Sequence, residues 1–174
     1  GNRGLDVLIN NAGVSAIGPI CHQPVDEIRF VMDVNFFGTL NVTRAFLPLL
    51  GGQTNYPHAP GKIINIGSVA GAMTVPFMVA YSASKHALEA LGQGLRRELM
   101  PFGIEVCTIE PSFVKSKITE NSRKIAGGRT YAETIYAAIW PKFFDRLDEL
   151  DATAPSTDAL VKRTNQLIAA EKPK

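Results

Sequence analysis

The chain has 174 residues, 45% of them hydrophobic and 20% charged, with a formal net charge of +2. That composition supports one substantial core, and a charge so near balance, with its basic residues scattered, argues against a surface built for nucleic acid. No apolar run reaches membrane-spanning length, no signal-peptide pattern opens the sequence, and the two cysteines, Cys21 and Cys107, make no disulfide framework.

The first residue is Gly1 rather than Met, and a strand follows almost at once, so a piece of a longer protein is expected. Leu5-Asp6-Val7-Leu8-Ile9 is a nearly continuous apolar run with β-branched members and predicts a buried parallel strand. It ends in Asn10-Asn11-Ala12-Gly13, small and amide residues that let a ligand come close. Taken alone, these four read as a polar turn. From Pro24 to Leu50 the apolar positions Val25, Ile28, Val31, Met32, Phe36, Leu40, Val42, Phe46 and Leu47 repeat with helical period. Gly38 is expected to admit a tight contact there, and Asn35 is either a surface amide or a buried hydrogen-bond post. A Gly/Pro loop over 51–61 leads to a strand at Ile63–Ile66, broken at Gly67.

A helix is predicted from about Tyr81 to Leu99, stopped by Pro101 and Gly103, and a third strand over Ile104–Ile109, ended by Glu110-Pro111. Strand, helix, strand, helix, strand with short links implies right-handed crossovers and a parallel sheet. Beyond Ser112 the reading is a mixed stretch with a Gly127-Gly128 break, then an aromatic-rich helix over 131–150 interrupted at Pro141. A last helix over 156–170 is capped by Ser156 or Thr157, and the tail 171–174 is expected to fray. Trp140, Phe143 and Phe144 belong either to an apolar lid or to a helix packed on the sheet's flank.

The chemistry concentrates between Ser68 and Lys85. Ser68 follows a strand 13 residues before Tyr81, and Lys85 lies four residues after Tyr81, which puts phenol and ammonium on one helix face, about 6 Å apart along the axis. A tyrosine with a pKa of about 10 is a poor base near neutrality, and a close cation is expected to lower it. Tyr81 can then exchange a proton with a carbonyl or alcohol oxygen that Ser68 also holds, while Asn35 holds a water that relays protons through Lys85. His22, His58 and His86 show no metal-ligand spacing. A nicotinamide is the natural electron partner.

Asn-Asn-Ala-Gly at 10–13, Val-Asn-Phe-Phe-Gly around Asn35, Ile-Gly-Ser-Val-Ala-Gly around Ser68 and Tyr-Ser-Ala-Ser-Lys at 81–85 together resemble the short-chain dehydrogenase/reductases. The likeness runs from Leu5 to about Ser116. It implies a Rossmann-like, doubly wound parallel α/β sheet, of which the chain holds the C-terminal part: 1–116 as the catalytic half of the nucleotide-binding domain, and 117–174 as a helical substrate-binding or lid region. It implies Asn35, Ser68, Tyr81 and Lys85 as the catalytic set. Asn10, Ala12, Gly13, Tyr81, Lys85, Pro111, Ser112, Val114 and Ser116 are implied as the cofactor set, for NAD or NADP and with no metal. It further implies a small alcohol or carbonyl substrate, a cytoplasmic setting, and a homodimer or homotetramer through the helices 24–50 and 81–99. The stretch after Pro111 is most similar to members acting on steroids, retinoids and other lipophilic alcohols.

Two features depart from the family pattern. Pro111 is followed by Ser112 where the family usually has Gly, and no Gly-rich phosphate turn precedes the Asn-Asn-Ala-Gly strand. The choice between NAD and NADP is therefore not written here. A truncated, non-catalytic module that pairs through its long helices is the competing reading. An epimerase or dehydratase with the same Ser/Tyr/Lys set fits less well, because those enzymes usually carry a larger substrate domain after the sheet.

Overall fold

The computed structural model describes residues 4–170; Gly1 and the tail 171–174 lie outside the described residues. Three parallel strands, β1 (Val7–Asn10), β2 (Lys62–Ile66) and β3 (Glu105–Ile109), stand in the order β1-β2-β3. Ile9 pairs with Ile64, and Asn65 with Thr108. The order matches the chain order, as two right-handed crossovers on one face require. Those crossovers are the helical segment 25–50 and the helix α3 (Val79–Leu99), which pack against each other. Their shared core with the sheet is Leu50, Ile63, Leu99, Ile104 and Val106.

The 25–50 segment is not one uniform helix. It is α1 (Val25–Met32), a π-helical turn (Asp33–Gly38), α2 (Thr39–Phe46) and a 3₁₀ turn (Leu47–Leu50). Its buried line is Val31, Asn35, Thr39, Thr43 and Leu50, whereas Val25, Phe30, Phe37, Val42 and Phe46 are exposed. The apolar period at Val25, Val42 and Phe46 therefore marks the outer face, and small polar residues face the sheet. Burying them is feasible because they are bonded: Asn10 Nδ2 donates to Thr43 Oγ1 at 3.1 Å, and Thr39 Oγ1 to the Asn35 carbonyl at 3.0 Å. Four residues of α-helix overshoot a 3.6-residue turn, and one wider i→i+5 turn undershoots it, so the π turn keeps this four-residue line aimed at the sheet. Gly38 serves that turn and makes no tight contact with another element. A methyl there would meet the Asp33 carbonyl at 3.3 Å.

The close approach comes instead at Gly92 of α3, where a Cβ would stand 2.5 Å from Thr108 Oγ1 of β3. Beyond β3 come α4 (Ile118–Ala126), α5 (Trp140–Thr153) and α6 (Asp158–Ala169). Gly127, at φ +61°, stops α4 in the left-handed region. Pro141 does not interrupt a helix as expected. It sits in the first turn of α5, where its missing N–H costs nothing, and 131–139 form turns. These helices close a second core of Ile17, Ala126, Trp140 and Leu147, with Phe77, Tyr131, Phe143 and Phe144 packed on it. Lys62, pointing to the opposite face from Ile63, fixes α6. Its buried Nζ donates to the carbonyls of Leu167 and Ala170 at 2.7 and 2.6 Å and pairs with Glu105 at 3.1 Å.

Candidate active site

The carboxyl ends of the strands feed one cleft of about 930 Å³, in the position where open α/β sheets bind ligands. β2 delivers Ser68. Past the last ladder pair, Gly67 N–H donates to the Ile109 carbonyl at 2.7 Å and Val69 N–H to the Pro111 carbonyl at 3.1 Å, so the loop after β3 lies beside the loop after β2. Ser68 is extended and its Oγ accepts the Ala70 N–H at 3.1 Å, capping a short 3₁₀ turn. Gly71 in that turn lets α3 approach, since a Cβ there would be 2.9 Å from the Lys85 carbonyl. The first turns of α3 then bring Tyr81 and Lys85 to the cleft opposite Ser68.

Asn35 organises the back of the site. Its Oδ1 accepts the Val14 N–H, and its Nδ2 donates to the Val14 carbonyl and to Ser84 Oγ, each at 2.8 Å. Ser84 Oγ in turn donates to the Tyr81 carbonyl at 2.7 Å. A buried thread thus runs from the loop after β1, through the π turn, to the backbone of Tyr81. Both Nδ2 protons are used, so the expected relay water can meet this side chain only at Oδ1. Asn35 Oδ1 and Lys85 Nζ both border Gly13, since a methyl there would stand 3.6 Å from each.

Burial pushes the Tyr81 phenol up from its ordinary value, while a hydrogen bond with Ser68 pulls it back down, and the net direction is upward. The expected lowering by Lys85 is not what this geometry yields. Lys85 Nζ lies 5.7 Å from the centre of the Tyr81 ring and donates to the Ile66 carbonyl at 2.9 Å. Burial also weakens its own charge, lowering its pKa to about 8.

Of the residues anticipated from sequence, Gly13, Ser68, Tyr81, Lys85, Pro111, Ser112, Val114 and Ser116 line the cleft together. Three do not. Asn35 is buried behind it, Ala12 faces solvent elsewhere, and Asn10 points inward, donating to Thr43 Oγ1 and to Asn65 Oδ1 at 2.9 Å. Asn11, passed over in the same motif, does line it. So do Phe77, Phe113, Lys117, Lys142, Phe143 and Arg146. Phe77 holds a left-handed backbone at φ +61°, its carbonyl takes the Gly18 N–H at 2.8 Å, and its ring meets Trp140 and Phe143. Nothing in its local sequence signals that role. The apolar helix α5 was the legible clue to the aromatic wall.

The residues fit the nicotinamide-ribose end of a dinucleotide. Gly13 leaves open space beside Lys85, whose Nζ keeps two donors after its bond to Ile66, and the cleft reaches all three strand ends. Among the described residues no group of three or more His, Cys, Asp or Glu could hold a metal ion, and no helix is long and apolar enough to cross a membrane.

The family model described as short chain dehydrogenase matches residues 2–126. The chain is 40% identical over its whole length to an NADPH-dependent 3-dehydrocapnine reductase of Ornithobacterium rhinotracheale, covering 60% of that protein. A short-chain dehydrogenase from Streptomyces avermitilis superposes with a TM-score of 0.71 at 26% identity, over 98% of this chain and 58% of the other. A gluconate 5-dehydrogenase from Burkholderia cenocepacia, solved with NADP and tartrate, superposes with a TM-score of 0.61 at 28% identity, over 67% of this chain and 44% of the other. The chain thus spans about 60% of the length of that reductase, and less of the gluconate enzyme.

Proposed function

Because the chain belongs to the short-chain dehydrogenase family, we propose that it carries the catalytic part of an NAD(P)-dependent oxidoreductase that interconverts an alcohol and a ketone or aldehyde. The observation that carries the reading is the convergence of Ser68, Tyr81 and Lys85 on one cleft that Gly13 and Pro111 also line. A bound nicotinamide supplies or accepts the hydride. Ser68 Oγ and Tyr81 Oη hold the substrate oxygen, and in the reducing direction Tyr81 Oη gives it the proton. Lys85 holds the ribose and reprotonates Tyr81 through water in the space beside Gly13. Asn35 keeps that space open by fixing Val14, and it steadies Tyr81 through Ser84. The described residues up to 116 form the catalytic half and those from 117 to 170 the helical substrate wall, whose aromatic lining supports a lipophilic substrate. Similarity to an NADPH-dependent reductase and to an NADP-bound structure favours NADP over NAD.

The test is titration of NAD(H) and NADP(H) into this chain and into a form extended upstream through a Gly-rich turn. The extended form is expected to bind, and Tyr81→Phe to keep binding while losing turnover. Binding of neither cofactor by either form refutes the reading.

The exposed stripe of Phe30, Phe37, Val42 and Phe46 favours pairing with a second copy through the 25–50 segment. Sedimentation velocity of wild type against Phe37→Glu checks this, with a shift toward monomer expected.

A further inference from the structure

The cleft's charge is one-sided. Lys85, Lys117, Lys142 and Arg146 line it, and among the described residues no Asp or Glu does. Helix α5 sorts its charges to produce this. Lys142 and Arg146, one turn apart, face the cleft, while the carboxylates turn away. Asp148 pairs with Arg123 of α4, and Asp151 accepts from Thr119 Oγ1 at 3.2 Å. Glu149 alone reaches back, meeting Arg146 at 2.7 Å in a pair with both side chains mostly exposed, a contact worth little in water. Lys142 makes no ion pair among the described residues. Between and beside the two cations stand Phe143, Leu147 and Leu150, which line the cleft together with Phe77 and Phe113, the Phe77 and Phe143 rings touching at 5.2 Å between centroids.

An apolar trough edged by two exposed cations, Lys142 without an ion pair among the described residues and Arg146 in an exposed pair only, matches a ligand with an apolar chain and a negative head. Taking the cleft as the active site proposed above, we propose that its substrate is an anionic amphiphile. The chain of this ketone or alcohol lies on the aromatic wall, and its carboxylate, phosphate or sulfonate meets Lys142 and Arg146. A dinucleotide's phosphates are the other anions that could draw on this charge. Lys117, next to Ser116 near the Pro111 end, is placed for those. Lys142 and Arg146 sit on the helix that forms the apolar end and are assigned to the substrate.

The probe is dodecanoate against dodecanol, titrated below their aggregation limits into the whole chain and followed by Trp140, the single tryptophan, buried and stacked on Phe143. Dodecanoate is expected to bind at least fivefold tighter than dodecanol, with a preference that shrinks as salt is raised. The exposed double variant Lys142→Glu, Arg146→Glu is expected to cost dodecanoate roughly tenfold and dodecanol less than twofold. Lys124→Glu, a reversal on α4 outside the cleft, is expected to leave both unchanged. Equal binding of the two probes by wild type overturns the proposal. So does an unchanged dodecanoate preference in the double variant, or a loss confined to NADPH affinity in the upstream-extended form, which assigns the cations to the cofactor. If the preference holds and moves with Lys142 and Arg146 while neither cofactor binds, the oxidoreductase reading fails and the anion-binding cleft stands.

Discussion

Lys85 is 5% exposed, and burial lowers its pKa from 10.5 to about 8. Between those two values the unfolded chain holds a proton on Lys85 that the folded chain has released, so stability rises with pH in that window. Below pH 8 the penalty for burying the charged amine is carried in full; above about 10.5 it is gone. At about 1.4 kcal/mol per pH unit, the whole window is worth about 3 kcal/mol, and about 2 kcal/mol is recovered by pH 9.5. Lys85→Met fills similar space, carries no proton and lacks this rise. Urea unfolding at pH 7 and 9.5 isolates the effect, because the other titrating groups are common to both proteins. The wild-type midpoint should gain on the variant by about 1 M, taking a urea slope of about 2 kcal/mol per M. The comparison stops at pH 9.5 because Tyr81, with its pKa raised in the folded state, begins to act with the opposite sign near 10. Curves that stay parallel between the two pH values refute the claim that burial governs this lysine.

Ser84→Ala should cost about 1–2 kcal/mol in urea unfolding, since it strands one Asn35 Nδ2 proton in a buried place, and it should lower kcat more than it raises KM by loosening Tyr81. Gly13→Ala should leave stability nearly unchanged, because its methyl meets Asn35 Oδ1 and Lys85 Nζ at an ordinary 3.6 Å. Its turnover in the extended form should nevertheless fall, as the methyl fills the relay space. Gly92→Ala should destabilise by about 1–3 kcal/mol, read as a fall in melting temperature, because its Cβ would stand 2.5 Å from Thr108 Oγ1; normal stability there would mean that α3 can shift off the sheet freely.

The sheet was legible because its strands are short apolar runs ended by Gly, Pro or Asn, and helical period put Tyr81 and Lys85 on one face, while Ser68 reaches them through the packing of the loop after β2 on α3. Ser68 ends β2, and Tyr81 and Lys85 share a face of α3. Ends of elements were less legible. Pro141 looked like a break within a helix and is a beginning, since proline is tolerated in a first turn as readily as it ends a helix. The cleft wall was legible only in part. Aromatic residues on α5 pointed to an apolar surface, but Phe77, whose left-handed backbone turns its ring into that surface, carries no local signal. A bulky residue at positive φ is set by its tertiary surroundings.

The segment 25–50 shows where periodicity inverts in part. Hydrophobic period finds a helix because one face is usually buried and that face is usually apolar. Here Val31 and Leu50 are buried at the ends, but Asn35, Thr39 and Thr43 are buried between them, and Val25, Val42 and Phe46 are exposed. The segment is still a helix, so the element was found; Val31 is buried and Ile28, Met32, Phe36, Leu40 and Leu47 are half-buried as the period implies, but Val25, Val42 and Phe46 lie outward. Each polar group earns its place by a bond to the site's scaffold. Thr43 Oγ1 accepts a hydrogen bond from Asn10, Thr39 Oγ1 donates one to the Asn35 carbonyl, and Asn35 ties Val14 to Ser84. An apolar face would remove the bonds that tie Asn10 and Ser84 to this segment and would leave the Val14 N–H and carbonyl without Asn35. The inversion, and the π turn that keeps it aligned, therefore mark a stretch where local rules yield to the needs of a site. The apolar face thereby turned outward is the same surface on which a second copy is proposed to dock.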